Sequence, residues 1–211
     1  MVIKQVRWEK PISGWVKLNT DGSANTSTGS AGGGGLIRDE WGNWILGFSR
    51  KIRKANSFMA ETWALGDGLL LCQHFKTLII ELDAKALVDA LNNPLFSNSV
   101  ISPLFEDCKH LAAQIPHVSI KHSYREGNRC ADRFTSLGLR QAMNFVIHYC
   151  PPVDLIPLVK ADCQRMVFNR LCPDIPYSSL FFFFPFHITK KKKKNRRGIL
   201  RRRSSMALKT R

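Results

Sequence analysis

Between Trp15 and Arg140 the apolar and polar positions fall into blocks whose period changes from strand-like to helix-like, and most blocks end on a turn signal. Trp15 to Asp21 has strand composition, and the polar, glycine-rich stretch Gly22 to Gly35 follows it. A hairpin directly after Asp21 would need Ser23 to Ser30 as its second strand, and that segment holds no large apolar residue. Asp21 is therefore expected to end a central strand and face solvent at its edge. Two short apolar runs, Gly35 to Arg38 and Asn43 to Phe48, are joined by Asp39-Glu40-Trp41-Gly42, which suits a turn. The first third predicts three antiparallel strands.

Helical signals begin at Asn56 and Ser57, either of which can cap, and Phe58 to Phe75 predicts a long helix. Leu78 to Leu82 predicts a buried strand, and Ala84 to Leu91 a short helix ended by Asn92-Asn93-Pro94. A further helix over Val100 to Ala113, a strand over Val118 to Tyr124 and a last helix over Asn128 to Ala142 complete the pattern. Strands that first meander and then alternate with helices imply an α/β fold with a mixed sheet. Beyond Tyr149 the pattern decays, and residues 143–172 read as a strap along the domain surface. Residues 1–11 read as an N-terminal extension.

The chain has 211 residues, 44% of them hydrophobic, enough for a packed core. Its net charge of +16 is uneven: residues 173–211 hold 12 basic side chains and one acidic, so only +5 belongs to residues 1–172. Phe181 to Phe184, Lys190 to Lys194 and Arg201 to Arg203 are homopolymeric, and 173–211 is expected to be disordered. Lys190 to Arg197 suits a nuclear-localisation or nucleic-acid-tethering patch; the alternative is an extension with no selected function. Met1 to Lys10 never forms an apolar leader core, and Leu180 to Ile188, at nine residues, is too short to span a bilayer. Six cysteines without a CxxC pair signal neither zinc nor a disulfide framework. These features predict a nuclear or cytoplasmic protein with reduced thiols that is not secreted.

Four carboxylates stand where a core-facing pattern predicts something else: Asp21, Glu61, Asp83 and Asp132. Each has a structural explanation of its own, whether turn, helix-dipole partner, cap or solvated face. As a set they say more. Glu61 heads a stripe of Leu65, Gly68, Leu69 and Cys72 that faces the sheet. If the first and fourth strands are neighbours, Asp21 and Asp83 end side by side beneath it. Converging carboxylates repel one another unless a cation neutralises them. Oxygen ligands suit Mg²⁺ or Mn²⁺, and a pair of such ions about 3.5–4 Å apart serves phosphodiester cleavage.

The stretches Trp15 to Ser23, Ala31 to Asp39 with Gly42-Asn43-Trp44, Ala60 to Leu65 with Gly68-Leu69, Ile80 to Lys85 and Tyr124 to Asp132 resemble, in order and spacing, a type 1 ribonuclease H domain of the plant reverse-transcriptase-like, retrotransposon-derived subgroup. The resemblance covers residues 12–172, with the domain proper over 12–142. It implies a ribonuclease H-like fold: a five-stranded mixed sheet flanked by helices, with strands four and five parallel to the first. It implies that Asp21, Glu61, Asp83 and Asp132 bind two Mg²⁺ or Mn²⁺ ions, and that the RNA strand of an RNA–DNA hybrid is hydrolysed to 5′-phosphate and 3′-hydroxyl ends. Hybrid choice would rest on 2′-hydroxyl contacts.

Gly22 and Ser23 are candidates to offer backbone amides to the RNA strand. Lys51, Arg53 and Lys54, between the third strand and the Glu61 helix, are candidate phosphate contacts or a solvated loop. Two departures from the family pattern are visible: Ser123 to Gly127 lacks the loop histidine of bacterial-type members, with His122 placed earlier in the strand, and Arg133-Phe134-Thr135 replaces a small-residue and leucine pattern. The absent loop histidine keeps a second reading open, a transposon-derived module that binds nucleic acid with little or no cleavage, and the Arg133-Phe134-Thr135 departure bears on the placement of Asp132. A proofreading-type exonuclease predicts Asp-x-Glu on the first strand, where this chain has Asp21-Gly22-Ser23.

Overall fold

The computed structural model describes residues 1–93, 96 and 102–173. In chain order its elements are β1 (Val2–Val6), β2 (Val16–Ala24), β3 (Ala31–Arg38), β4 (Trp44–Ile52), α1 (Ser57–Leu71), β5 (Thr77–Leu82), α2 (Lys85–Asn92), α3 (Ser102–Gln114), β6 (His117–His122), α4 (Arg129–Arg140), β7 (Phe145–His148), α5 (Ile156–Cys163) and β8 (Phe168–Cys172). Short 3₁₀ turns at Arg125–Gly127 and Val153–Leu155 lead into α4 and α5. The expected disordered tail lies outside the described residues from 174 on.

β2 is central. It pairs antiparallel with β3 and parallel with β5, and the sheet runs β6-β5-β2-β3-β4-β7. The five strands implied by the resemblance are present with their expected directions, and a sixth, β7, adds antiparallel to β4 along Phe48↔Ile147. β7 lies in the segment expected to be a surface strap; its four residues are too few to show a period. The strap also contributes α5 and β8, and β8 pairs antiparallel with β1 in a separate two-stranded ribbon, so the N-terminal extension is tied to the far end of the strap. No helix of the described residues is long and apolar enough to cross a membrane. All six cysteines are unpaired.

The stretch Gly22 to Gly35 corrects the sequence reading. β2 continues to Ala24, the turn is Asn25–Ser30, and Ala31–Arg38 returns as β3 in register Asp21↔Gly34. Four consecutive glycines make a strand here because helices press on both faces of it. A Cβ at Gly33 would meet Ala64 of α1 at 3.1 Å, and one at Gly32 would sit 2.6 Å from the Thr135 carbonyl oxygen of α4. Glycine is ordinarily a weak strand residue, and this close helix approach is the compensation. Leu18, Leu65, Leu69, Ile80 and Phe105 fill the α1 and α3 side of the sheet, while Leu36, Phe134 and Leu155 fill the α4 side.

Candidate active site

Parallel pairing of β2 with β5 sets Thr20 opposite Leu82, so the next residue on each strand is a carboxylate, Asp21 beside Asp83. Asp21 is inside β2 and only 5% exposed, not at a solvated strand end, because the β2–β3 hairpin runs three residues past it. Asp83 is not used as a helix cap, since the cap position of α2 is Ala84 and carries no side-chain cap bond. Glu61 arrives from the N-terminal part of α1, which Asn56 caps by accepting from the Met59 amide at 2.8 Å. Gly22 sets how close α1 comes: a Cβ there would lie 2.2 Å from the Ala60 carbonyl carbon and the Glu61 nitrogen. The stripe below Glu61, Leu65, Leu69 and Cys72, is buried as its spacing predicts.

Asp21, Glu61 and Asp83 thus present oxygens that all lie within 4.8 Å of one another. Burial first, then the charge of Asp83, pushes the Asp21 carboxyl up to about 7. Burial and the charges of Asp21 and Asp83 push Glu61 up to about 10, against a hydrogen bond from the Gly22 backbone that lowers it. Asp83 is also raised, by burial, while its hydrogen bond with Asp21 and the nearby Arg125 charge act the other way. Glu61 Oε2 is buried and has no hydrogen-bond partner among the described residues. Three crowded oxygen donors, one of them orphaned, fit a divalent cation.

Asp132, in the first turn of α4, lies outside this group of three. It pairs with Arg125 at 2.6 Å, and its side chain is 39% exposed. Its charge still acts on both Asp21 and Asp83. Two polar residues fix α4 against β2 on either side of the site: Asn128 Nδ2 donates to the Thr20 carbonyl at 2.9 Å, and Thr135 Oγ1 donates to the Asp21 carbonyl at 2.7 Å. Thr135 belongs to the segment that departs from the family pattern; there Phe134 fills the core against Trp44, with ring centroids 5.8 Å apart.

The sequence reading missed the roles of Arg125, Asn128 and Thr135. The signal for Thr135 was a polar residue on a buried helix face.

Gly22 is buried packing floor, whereas Ser23 is exposed at the end of β2. Lys51 stands across β3 from that end, paired with Gly32, and its Nζ donates to the Gln141 carbonyl at 3.0 Å. Arg53 and Lys54 are exposed in the bend between β4 and α1. A cleft runs from the Asn25–Ser30 turn to this bend, lined by Asn25, Thr26, Lys54, Asn56 and Ser57.

Residues 19–138 match the family described as reverse transcriptase-like. An Arabidopsis thaliana protein provisionally named a ribonuclease H protein is 31% identical over 163 residues, 76% of this chain. The match covers 26% of that relative, so this chain spans about a quarter of its length. Among solved structures, ribonuclease H1 from the archaeon Halobacterium salinarum aligns with a TM-score of 0.56 at 21% identity, over 59% of this chain and 97% of that one. LC11-RNase H1, solved in complex with an RNA/DNA hybrid, aligns with a TM-score of 0.53 at 24% identity, over 59% of this chain and 96% of the other.

Proposed function

Because the chain belongs to the reverse transcriptase-like family and carries a ribonuclease H-like domain, we propose that it is a divalent-metal-dependent endonuclease hydrolysing the RNA strand of RNA–DNA hybrids. The observation that carries this reading is the convergence of Asp21, Glu61 and Asp83 within 4.8 Å, with Glu61 Oε2 lacking a partner among the described residues. Without a cation such a group is costly to bury.

Asp21, Glu61 and Asp83 would hold Mg²⁺ or Mn²⁺, with Asp132 beside them as the fourth carboxylate. Bound there, a pair of divalent ions supplies Lewis-acid activation of water and stabilises the charge on the leaving 3′-oxygen. The protein supplies the placement. Thr20↔Leu82 pairing sets the spacing of Asp21 and Asp83. Gly22 sets the depth of Glu61, and Asn128 and Thr135 set the position of α4.

The substrate lies across the same sheet edge, where Ser23 is exposed and Lys51, Arg53 and Lys54 offer cationic contacts to the phosphate backbone. The cleft between the Asn25–Ser30 turn and Lys54 opens beside the exposed end of β2. That LC11-RNase H1 was solved with a hybrid supports the choice of substrate. A second reading, a module that binds nucleic acid without cutting it, draws on the Arg125–Asp132 ion pair, which keeps the fourth carboxylate engaged elsewhere.

The full chain and its Asp21→Asn variant, incubated with labelled hybrid, RNA duplex and DNA duplex in Mg²⁺, separate the readings. The nuclease cuts only the RNA of the hybrid, and Asp21→Asn lowers the rate at least about 100-fold. Equal cutting by both proteins identifies a contaminant, and hybrid binding without cleavage selects the module.

A further inference from the structure

The turn Arg125–Gly127 has no side-chain cap at its start, yet it joins β6 to the helix that carries Asp132. It is held from outside, by the ribbon of β1 and β8. Lys4 and Arg170 are direct cross-strand partners in that ribbon, so their side chains leave it on one face. Two cations placed opposite each other are unfavourable unless something stands between them.

Tyr124 and Glu126 do. The Arg170 guanidinium lies 4.9 Å from the Tyr124 ring centroid, and Lys4 Nζ lies 4.7 Å from the same centroid. Arg170 Nη1 donates to both Glu126 carboxylate oxygens at 2.9 Å. Two further approaches flank this grip. A Cβ on Gly127 would come within 3.3 Å of the carbonyl oxygen of Arg7, the residue after β1, and Phe168 of β8 takes the guanidinium of Arg129, the first residue of α4, 4.1 Å from its ring centroid. Within the gripped segment, Arg125 pairs with Asp132 and Asn128 holds the Thr20 carbonyl.

We infer that Arg170, with Lys4 beside it, is a positioning residue: the ribbon made from the two ends of the described chain clamps the turn at Glu126 and Tyr124 and so places Asp132 at the edge of the carboxylate group. This rests on the metal-site reading above. None of the clamp residues belongs to the carboxylate group. The clamp's action runs through the turn, and it predicts that a contact between Arg170 and Glu126 changes how well the site holds an ion.

The test uses the full chain as wild type, Arg170→Ala, Arg170→Lys and Glu126→Gln, with two readouts that need no cleavage: amide hydrogen exchange over 123–131 and Mn²⁺ affinity by calorimetry. The ion pair is partly exposed, so melting temperatures should stay close to wild type. Arg170→Ala and Glu126→Gln should speed exchange of the turn amides roughly fivefold and weaken Mn²⁺ binding about three- to tenfold, at or below the usual effect of an outer-shell partner. Because a single nitrogen reaches both Glu126 oxygens, Arg170→Lys should recover both values. Unchanged exchange in Arg170→Ala and Glu126→Gln overturns the clamp. Faster exchange with unchanged Mn²⁺ affinity overturns its link to the site. A wild type that binds Mn²⁺ and responds as expected yet leaves hybrid uncut sinks the nuclease reading and leaves the clamp standing.

Discussion

Arg125 donates to Asp132 at 2.6 Å across the mouth of the carboxylate group, and its charge also acts on Asp21 and Asp83. The 3₁₀ turn therefore brings a cation to a site that is otherwise entirely acidic. It occupies the loop in which the sequence shows no histidine. Asp132 is half-buried and paired with Arg125, while Asp21, Glu61 and Asp83 crowd within 4.8 Å of one another and form no ion pair among the described residues.

Removing that cation should tighten ion binding. Arg125→Ala frees Asp132 and deletes a positive charge that competes for the same field. Arg125 is 71% exposed, so solvent screens much of the effect. The Mg²⁺ concentration giving half-maximal hybrid cleavage should fall roughly two- to fivefold, more at low salt than at high salt. A rise in the required Mg²⁺ would mean that Arg125 supports the ion rather than competing with it.

Stability without metal should fall as pH rises. Asp21 moves from 3.8 to about 7 and Glu61 from 4.5 to about 10, so between each unfolded and folded value the native state binds a proton that the unfolded chain has released. The contribution of each group is complete below its unfolded value and is lost through that window, at about 1.4 kcal/mol per pH unit for each proton. Denaturant unfolding in a chelator from pH 5 to pH 8 should show the decline, with Asp21→Asn reducing the slope below pH 7. Mg²⁺ should offset the loss at pH 8 by mass action on the folded state. A flat profile would contradict the buried arrangement of these acids.

The acidic site was legible because each carboxylate interrupts an apolar block whose period is clear: Asp83 ends a run of buried strand residues, and Glu61 heads a helical stripe. Three features were illegible for different physical reasons. The first half of β3, before the predicted run Gly35 to Arg38, hides among glycines whose strand conformation depends on helices arriving from elsewhere in the chain. β1 is exposed at four of its five positions, and its partner lies at the other end of the described chain, so no local pattern marks the pair. Asn128 and Thr135 act on the backbone of β2, and a side chain's bond to a distant carbonyl leaves no period at all.

Gly22→Ala should damage both fold and site. The added methyl would meet the backbone of Ala60 and Glu61 at 2.2 Å, and a backbone cannot rotate away as a side chain can. α1 must move off β2, at a cost of about 3 kcal/mol from overpacking, and Glu61 moves with it. Chemical denaturation checks the first effect. Calorimetry with Mn²⁺ under conditions where the variant remains folded checks the second, and unchanged binding would separate the helix position from the ion site.

The most buried ion pair among the described residues is also connected to the site. Arg38 and Asp162 are both buried and meet at 2.8 Å; Arg38 lies 3.5 Å from the Trp8 ring centroid and donates to Asn19 Oδ1 at 3.2 Å. Asn19 also accepts from Trp8 Nε1 at 3.0 Å and donates to Asn128 Oδ1 at 3.2 Å, and Asn128 in turn holds the carbonyl next to Asp21. α5 is thereby coupled to the floor of the carboxylate group through a continuous polar chain. Asp162→Ala leaves the Arg38 charge buried, with Asn19 as its hydrogen-bond partner, which should destabilise the fold by about 3–5 kcal/mol. Arg38→Met combined with Asp162→Ala removes both charges, so the double variant should lose clearly less than the sum of the single losses. Additive losses in this double-mutant cycle would show that the two charges do not depend on each other, and that the buried network stands on its neutral members alone.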